Sequence, residues 1–358
     1  MEALKTPLYD AHIASGGRMV AYNGWMLPVQ YSGILQEYAA VRERAGLFDV
    51  SHMGRFDLTG ALSTEWLERT LTNTVKDAAV GRAVYSPVCY ASGGTVDDVI
   101  AYREGEEHWT LVVNAGNREK DFVFFKDTLS PGTKLVDLTG STVQLALQGP
   151  LALSMAERFF GVPVRKIKRY GFTNLEFHGE TVKLSRTGYT GEDGLEIYLP
   201  ASLAAVVWNG LLSGYAEEGL LPCGLGSRDL LRFEACMPLY GHEISADITP
   251  LEAGLGRFVD LEKPDFVGKA ALIAPPRRRR IGLRMTDRGI AREGYPVYCE
   301  NELAGHVTSG SLSPCAKGNL AMALVDVRFA DCVDFEVDIR GKRAAAVGES
   351  MPFYTRAK

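Results

Sequence analysis

The chain has 358 residues, 46% hydrophobic and 23% charged, a globular composition long enough for two or three domains that excludes disordered, collagen-like and coiled-coil classes. Lys+Arg 39 against Asp+Glu 44 leave a formal net charge of −5, which disfavours a general nucleic-acid binder that works by neutralising phosphates. No apolar run reaches the roughly 20 residues that span a bilayer, and the start, Met1 to Pro7, lacks the basic and apolar segments of a signal peptide, so no membrane contact and a cytoplasmic location are expected.

In chain order, Ile34, Tyr38, Val41 and Ala45 recur at helical spacing, as do Leu62, Trp66 and Leu71. Trp109 to Val113 and Val143 to Leu147 read as partly buried strands, so the first part is α+β. Ala274-Pro275-Pro276 followed by Arg277 to Arg280 reads as a Pro-stiffened connection with a solvated basic face, and as a weak docking hint for an acidic partner. Beyond it come short strands, Ile281 to Met285, Val297 to Cys299 and Ala321 to Val325. In the clearest, Val333, Phe335, Val337 and Ile339 alternate with Asp334, Glu336, Asp338 and Arg340. Evenly spaced short strands predict a small barrel or sandwich. The six cysteines have no C-x-x-C spacing and are expected to be buried thiols. The six histidines are never paired at ligand spacing, so no metal site is expected.

Phosphate-cradling, dinucleotide, zinc-hydrolase and nucleophile-elbow motifs are absent. Three segments stand out. After the Gly93-Gly94 turn, Asp97 and Asp98 interrupt an apolar strand; alternation sends them to opposite faces, either as turn aspartates or with one entering a cavity. Around Gly188-Tyr189-Thr190-Gly191, a Gly-dense loop enters a strand in which Glu196 alternates with core-facing Leu195 and Ile197. An acid beside an aromatic plane suits a flat heterocycle with N–H donors, and a hairpin with a polar outer face serves equally well. Arg228 falls in the first turn of a helix opened by Gly226 or Ser227, where a cation gains nothing from the macrodipole; it either serves a ligand or pairs with Asp229 or Glu234. Tyr85 and Asn114 read by themselves as a core tyrosine and a turn asparagine, and Ser51-His52 reads as adjacent strand residues that point apart.

Taken together, Thr6-Pro7-Leu8-Tyr9, Gly24-Trp25-Met26-Leu27-Pro28, Leu47-Phe48-Asp49-Val50-Ser51-His52-Met53, Gly93-Gly94-Thr95-Val96-Asp97-Asp98, Leu147-Gln148-Gly149-Pro150, Arg186-Thr187-Gly188-Tyr189-Thr190-Gly191-Glu192-Asp193-Gly194, Leu225-Gly226-Ser227-Arg228-Asp229 and Thr308-Ser309-Gly310-Ser311-Leu312-Ser313-Pro314 resemble the aminomethyltransferases, the T-proteins of the glycine cleavage system, in the same order and over nearly the whole length. The resemblance implies an α+β fold of three domains in a cloverleaf around a central folate cavity. It implies a discontinuous folate-binding domain (1–50 and 138–273), a second α+β domain (51–137) and a C-terminal all-β barrel (277–358). It implies tetrahydrofolate as co-substrate, lipoylated H-protein as partner, and transfer of a one-carbon unit with release of ammonia. By the same resemblance Asp98 is the catalytic carboxylate, while Tyr85, Asn114, Tyr189, Glu196, Arg228 and Arg356 are folate contacts. Ser227 stands where the family is expected to carry alanine. A folate-dependent demethylase of a small donor and a folate-binding factor without turnover are the alternatives. The iron–sulfur-assembly relatives carry a Lys-Gly-Cys-Tyr type motif that this sequence lacks.

Overall fold

The computed structural model describes residues 3–356, whose contacts fall into two units. The first holds the residues up to Trp66, Asp77–Val84 and Ile100–Leu231; the second holds Leu67–Lys76, Tyr85–Val99 and everything from Arg232 onward.

In the first unit the helical spacing from Ile34 produces the helix Ile34–Glu43, which buries Tyr38, Ala40 and Val41. It stops at Arg44, whose φ of −140° and ψ of −99° leave the helical region, so Ala45 opens the strand Ala45–Asp49 rather than continuing the helix. That strand lies in a six-stranded sheet in the order Phe172–Phe177, Glu180–Ser185, Gly194–Pro200, Thr142–Gln148, Ala45–Asp49, Leu220–Cys223, antiparallel except for the last pair. Period-two alternation gives the sheet one apolar face. Leu145, Leu147, Leu195, Ile197 and Leu199 pack there against Met155 and Phe160 of helix Ala152–Phe160 and Trp208 and Leu211 of helix Ala204–Gly214. Burying one such side chain is worth about 1.5–3 kcal/mol, so this layer holds the sheet in place. A second sheet pairs Gly54–Thr59 with His108–Val113 and Lys134–Asp137.

The N-terminal segment is pinned to the first sheet by charge. Asp49, fully buried, accepts from Thr6 Oγ1 (2.7 Å) and from Ser51, and pairs with His12 Nε2 at 2.9 Å; Tyr31 Oη meets the other imidazole nitrogen at 2.8 Å. Burial alone raises a carboxyl pKa, but the His12 contact and the two hydroxyls overcome it and lower Asp49 to about 2. The folded value lies below the unfolded one, so the stabilisation is complete above pH 4 and is lost as pH falls from about 4 to about 2. Asp49→Asn is therefore expected to be less stable than the parent at pH 6, and the gap to shrink across that acid window; a gap of constant size in acid unfolding followed by circular dichroism would refute it.

The second unit contains the closed barrel, in the order Arg278–Met285, Gly318–Asp326, Glu302–Ser313, Pro296–Cys299, Asp334–Ile339, Lys342–Glu349, with the last strand paired to the first. Phe335 and Val337 enter the core with Leu283, Val307 and Ala323, as their alternation predicts. Val333 does not share that face: it precedes the strand and is 71% exposed.

Two expectations need correcting. The arginine run is not a linker throughout: Arg277 and Arg279 are exposed as expected, but the run enters the barrel. Arg278 to Arg280 begin a barrel strand, where Arg278 Nε donates to Glu252 Oε1 at 2.9 Å, Arg279 meets Asp331 at 3.2 Å and Arg280 donates to the Cys236 carbonyl at 3.2 Å. Acceptors brought in from distant segments turn a charge run into a paired strand. Nor are all cysteines buried thiols: Cys299 and Cys332, 33 residues apart, form a disulfide and Cys315 is exposed, leaving Cys89, Cys223 and Cys236 as buried thiols. No sequence spacing reveals which strand end faces which turn.

Candidate active site

Within the second unit, Asp98 sits early in the strand Thr95–Gly105, whose start is set by an unusually close backbone approach. A Cβ at Gly94 would lie 1.7 Å from the Ala246 carbonyl oxygen, so only glycine lets Thr95 N–H bond to the Ser245 and Ile248 carbonyls. The two aspartates then diverge as alternation requires: Asp97 is fully buried, while Asp98 is half-buried and accepts from the Tyr85 hydroxyl at 2.8 Å. The Tyr85 ring stands edge-on to Phe258, 4.6 Å between centroids, and Tyr240 packs in the same apolar cluster. Asp98 is thus a carboxylate beside an aromatic cluster, oriented by the Tyr85 hydroxyl.

Within the first unit, Glu196 and Tyr198 point to the sheet face opposite Leu195 and Ile197. Glu196 is 5% exposed. Its Oε2 accepts from Thr187 Oγ1 (2.5 Å) and Tyr198 Oη (3.2 Å), with Tyr102 Oη at 3.4 Å; its Oε1 accepts from Gln144 Nε2 at 3.3 Å. The Tyr102 and Tyr198 hydroxyls are 2.8 Å apart, and Gln144 Nε2 also donates to Tyr198 Oη at 3.1 Å. Burial first, then the Glu196 charge, push both phenols above their ordinary range, so they remain neutral donors.

The Gly-dense loop before this strand is clamped by Gln148, which accepts from Thr190 Oγ1 (2.9 Å) and donates to the Thr187 and Leu195 carbonyls. A Cβ on Gly188 would fall 2.1 Å from Gln148 Oε1. Arg42 holds Glu192 at 2.8 Å and Arg186 holds Asp193 at 2.6 Å. So fixed, the loop sets the Tyr189 ring under the Arg228 guanidinium, 4.7 Å from centroid to carbon.

The helix carrying Arg228 begins at Leu225, ahead of both expected starts, Gly226 and Ser227. The hydroxyl of Ser227 donates to the buried Glu37 at 3.1 Å, one of four donors this carboxylate receives with Tyr31, Gly33 and Gly224 backbone N–H groups. His52 lies in a turn rather than a strand and is buried, its Nδ1 without a hydrogen-bond partner among the described residues; Ser51 gives its proton to Asp49 instead. Burial, then the positive charge of Arg228, lower His52 to about 3, so it is neutral near pH 7.

The structure therefore groups Glu196 with Tyr102, Tyr198, Gln144 and Thr187, Tyr189 with Arg228, and Asp98 with Tyr85. Asn114 follows the strand His108–Val113 and its carbonyl accepts from Asn117 N–H at 3.0 Å, and half-buried Arg356 lies two residues after Tyr354, whose N–H bonds to the Glu234 carbonyl at 2.8 Å. Sequence reasoning missed Tyr102, Tyr198, Gln144 and Phe258. Tyr198 was within reach, since it lies two residues from Glu196 on the same strand face; the others come from segments 52 to 94 residues from Glu196 or from a different unit. Among the described residues no group of three His, Cys, Asp or Glu is arranged to hold a metal ion, and no helix is long and apolar enough to cross a membrane.

A mixed α/β unit bearing a buried, hydroxyl-lined carboxylate, followed by a closed six-stranded barrel, defines the class: residues 8–263 match the GCVT N-terminal domain and residues 278–355 the glycine cleavage T-protein C-terminal barrel domain. The chain is 46% identical over 363 residues to the aminomethyltransferase of Anoxybacillus flavithermus, covering 99% of each, and 46% identical over 360 residues to that of Moorella thermoacetica, covering 99% of this chain and 98% of the relative. The crystal structure of the glycine cleavage system aminomethyltransferase T from Bartonella henselae superposes with a TM-score of 0.91 at 33% identity, covering 98% of both chains. The chain belongs to the aminomethyltransferase family of glycine cleavage T-proteins and is a transferase.

Proposed function

We propose that this enzyme takes the aminomethyl group carried on the dihydrolipoyl sulfur of H-protein and passes its carbon to tetrahydrofolate, giving 5,10-methylenetetrahydrofolate, ammonia and the free thiol. The family supports the reaction class. The observation that carries the co-substrate is Glu196: a buried carboxylate whose Oε1 receives Gln144 alone among the described residues, leaving a lone-pair position for a ligand N–H. Adjacent N–H donors of a pterin match a carboxylate, while Arg228 on the Tyr189 face offers a cation for the glutamyl end and a flat wall. The residues present fit the group on these terms.

In this reading Asp98 is the catalytic carboxylate. When the carbon–nitrogen bond breaks, ammonia leaves with the electron pair and the carbon becomes electron-poor; a fixed carboxylate beside it stabilises that charge. Two N–H protons are lost as the carbon bonds to two nitrogens; one ends on sulfur, the other makes ammonium. Asp98 is placed to take one of them in passing, with Tyr85 holding its orientation. Bringing a swinging arm to a bound acceptor supplies further acceleration through orientation. Asn114 and Arg356 are assigned to the same co-substrate, by family position. The proposal includes a cytoplasmic location and the three-domain division at 1–50 with 138–273, 51–137 and 277–358.

The test is ammonia release from aminomethylated H-protein with and without tetrahydrofolate. Release that depends on the folate and yields methylenetetrahydrofolate is expected; turnover of a small methylated donor alone would overturn the reading. Arg228→Met is expected to weaken tetrahydrofolate binding about tenfold or more, the size of one lost charge-assisted contact, with an unchanged melting temperature. Binding of the parent's strength, measured by calorimetry, would remove Arg228 from the site.

A further inference from the structure

A buried lysine that the reaction does not use lies behind the Glu196 network. Lys183, in the strand Glu180–Ser185, pairs in register with Tyr198 on the neighbouring strand, and Ser185 pairs with Glu196, so all four side chains share one sheet face. The Lys183 side chain is 13% exposed. Its Nζ stands 5.1 Å from the Tyr102 ring centroid, 5.3 Å from Tyr198 and 5.3 Å from Phe172, a three-sided aromatic cage. Glu104 closes the cage as ion-pair partner, itself accepting from Thr110 Oγ1 at 2.9 Å. The rings of Tyr102 and Tyr198 belong to the phenols whose hydroxyls meet Glu196 Oε2.

The proton count fixes the direction of these bonds. Glu196 as carboxylate only accepts, and Tyr198 Oη is the nearer phenol to its Oε2 (3.2 Å against 3.4 Å for Tyr102), so Tyr198 donates to it; Tyr198 oxygen then accepts from Gln144 and from Tyr102. The result is a one-way relay, Tyr102 to Tyr198 to Glu196, whose end is the carboxylate oxygen opposite the one left for the ligand. A cation against the ring faces draws electron density from both phenols and makes their hydroxyls better donors, and donors in a chain polarise one another. Burial pulls the Lys183 pKa down and the Glu104 carboxylate opposes that pull, keeping charge at the back of the cage.

We propose that Lys183 is a positioning residue for ligand recognition: seated on the faces of Tyr102 and Tyr198, it strengthens the hydroxyl relay that orients the Glu196 carboxylate toward its ligand. The inference rests on the reading of Glu196 as the pterin acceptor. Lys183 acts through the phenols, so its removal affects affinity for tetrahydrofolate and leaves the bond-breaking step at Asp98 alone.

Because Lys183→Met would strand Glu104, the test pairs Lys183→Met with Glu104→Gln, which removes both charges. Tetrahydrofolate affinity is measured by calorimetry, and kcat at saturating folate and H-protein. The expected result is a Kd raised about tenfold with kcat within threefold of the parent. Introduced into Glu196→Gln, the same pair should add less than a twofold further loss, since the relay has no carboxylate left to orient. A parental Kd in the paired variant, or a full tenfold further loss in the Glu196→Gln background, overturns the role of Lys183. Should Glu196→Gln itself bind tetrahydrofolate as tightly as the parent, the reading of Glu196 fails and this inference with it; a Glu196→Gln that loses binding beside a paired variant that keeps it sinks Lys183 alone.

Discussion

Asp98→Asn is expected to lower turnover by about a hundredfold or more while folding normally and binding tetrahydrofolate within about threefold of the parent. The substitution keeps the size and the hydrogen-bonding plane of the side chain, and the amide oxygen can still accept from Tyr85, so the aromatic cluster formed with Phe258 has no reason to rearrange. What disappears is the negative charge beside an electron-poor carbon and the capacity to take a proton. Both matter in the transition state and little in the ground state, which is why kcat bears the loss and not binding. Steady-state ammonia release together with a folate Kd separates the two. A rate within a few-fold of the parent would remove Asp98 from the chemistry, whereas a joint collapse of Kd and melting temperature would make it a structural residue. Glu196→Gln should show the converse pattern, because that carboxylate is assigned to binding.

The largest loss of stability is expected from Arg232→Met. Arg232, 3% exposed, donates from Nη1 to Glu243 Oε2 at 2.9 Å and from Nη2 to Ser309 Oγ at 3.1 Å, tying the end of helix Leu225–Glu234 to the barrel strand Glu302–Ser313. Glu243 is buried to the same degree and also accepts from Leu239 N–H at 3.1 Å. Burial by itself would raise the Glu243 pKa; Arg232 first among its partners holds it below the ordinary value. Without the guanidinium a charged or newly protonated carboxyl is left in the interior, a defect that costs about 3–5 kcal/mol. Urea unfolding should register that loss, and Arg232→Met combined with Glu243→Gln should recover more than half of it, since the double variant buries no charge. A single variant within about 1 kcal/mol of the parent would show that water or a rearranged partner takes over the pair.

Much of the candidate site could be read from the chain itself. Glu196 was recognisable because an acid alternating with Leu195 and Ile197 must leave the apolar face, and the glycines around Tyr189 announced a backbone in close contact, which turned out to be with Gln148. The divergence of Asp97 and Asp98 followed from strand geometry alone. What stayed hidden were partners. Lys183 resembles any polar strand residue until Glu104, 79 positions away, and three rings surround it. The arginines after Pro276 looked like a solvated run because the acceptors Glu252, Asp331 and the Cys236 carbonyl are not their sequence neighbours.

The sequence by itself determined most of the helices and strands, the barrel character of the C-terminal part, the family, the divergence of Asp97 from Asp98 and the departure of Glu196 from the apolar face, all of which depend on spacing over a few residues and on the order of motifs. Tertiary structure decided which of those faces meet: the hydroxyl relay onto Glu196, the stacking of Arg228 on Tyr189, the caged lysine and the Cys299–Cys332 bridge. The reason is one of range. Backbone periodicity and turn chemistry act between near neighbours, whereas the pairing of buried charges and rings depends on which strands lie side by side, and that is settled when the whole apolar surface is buried at once.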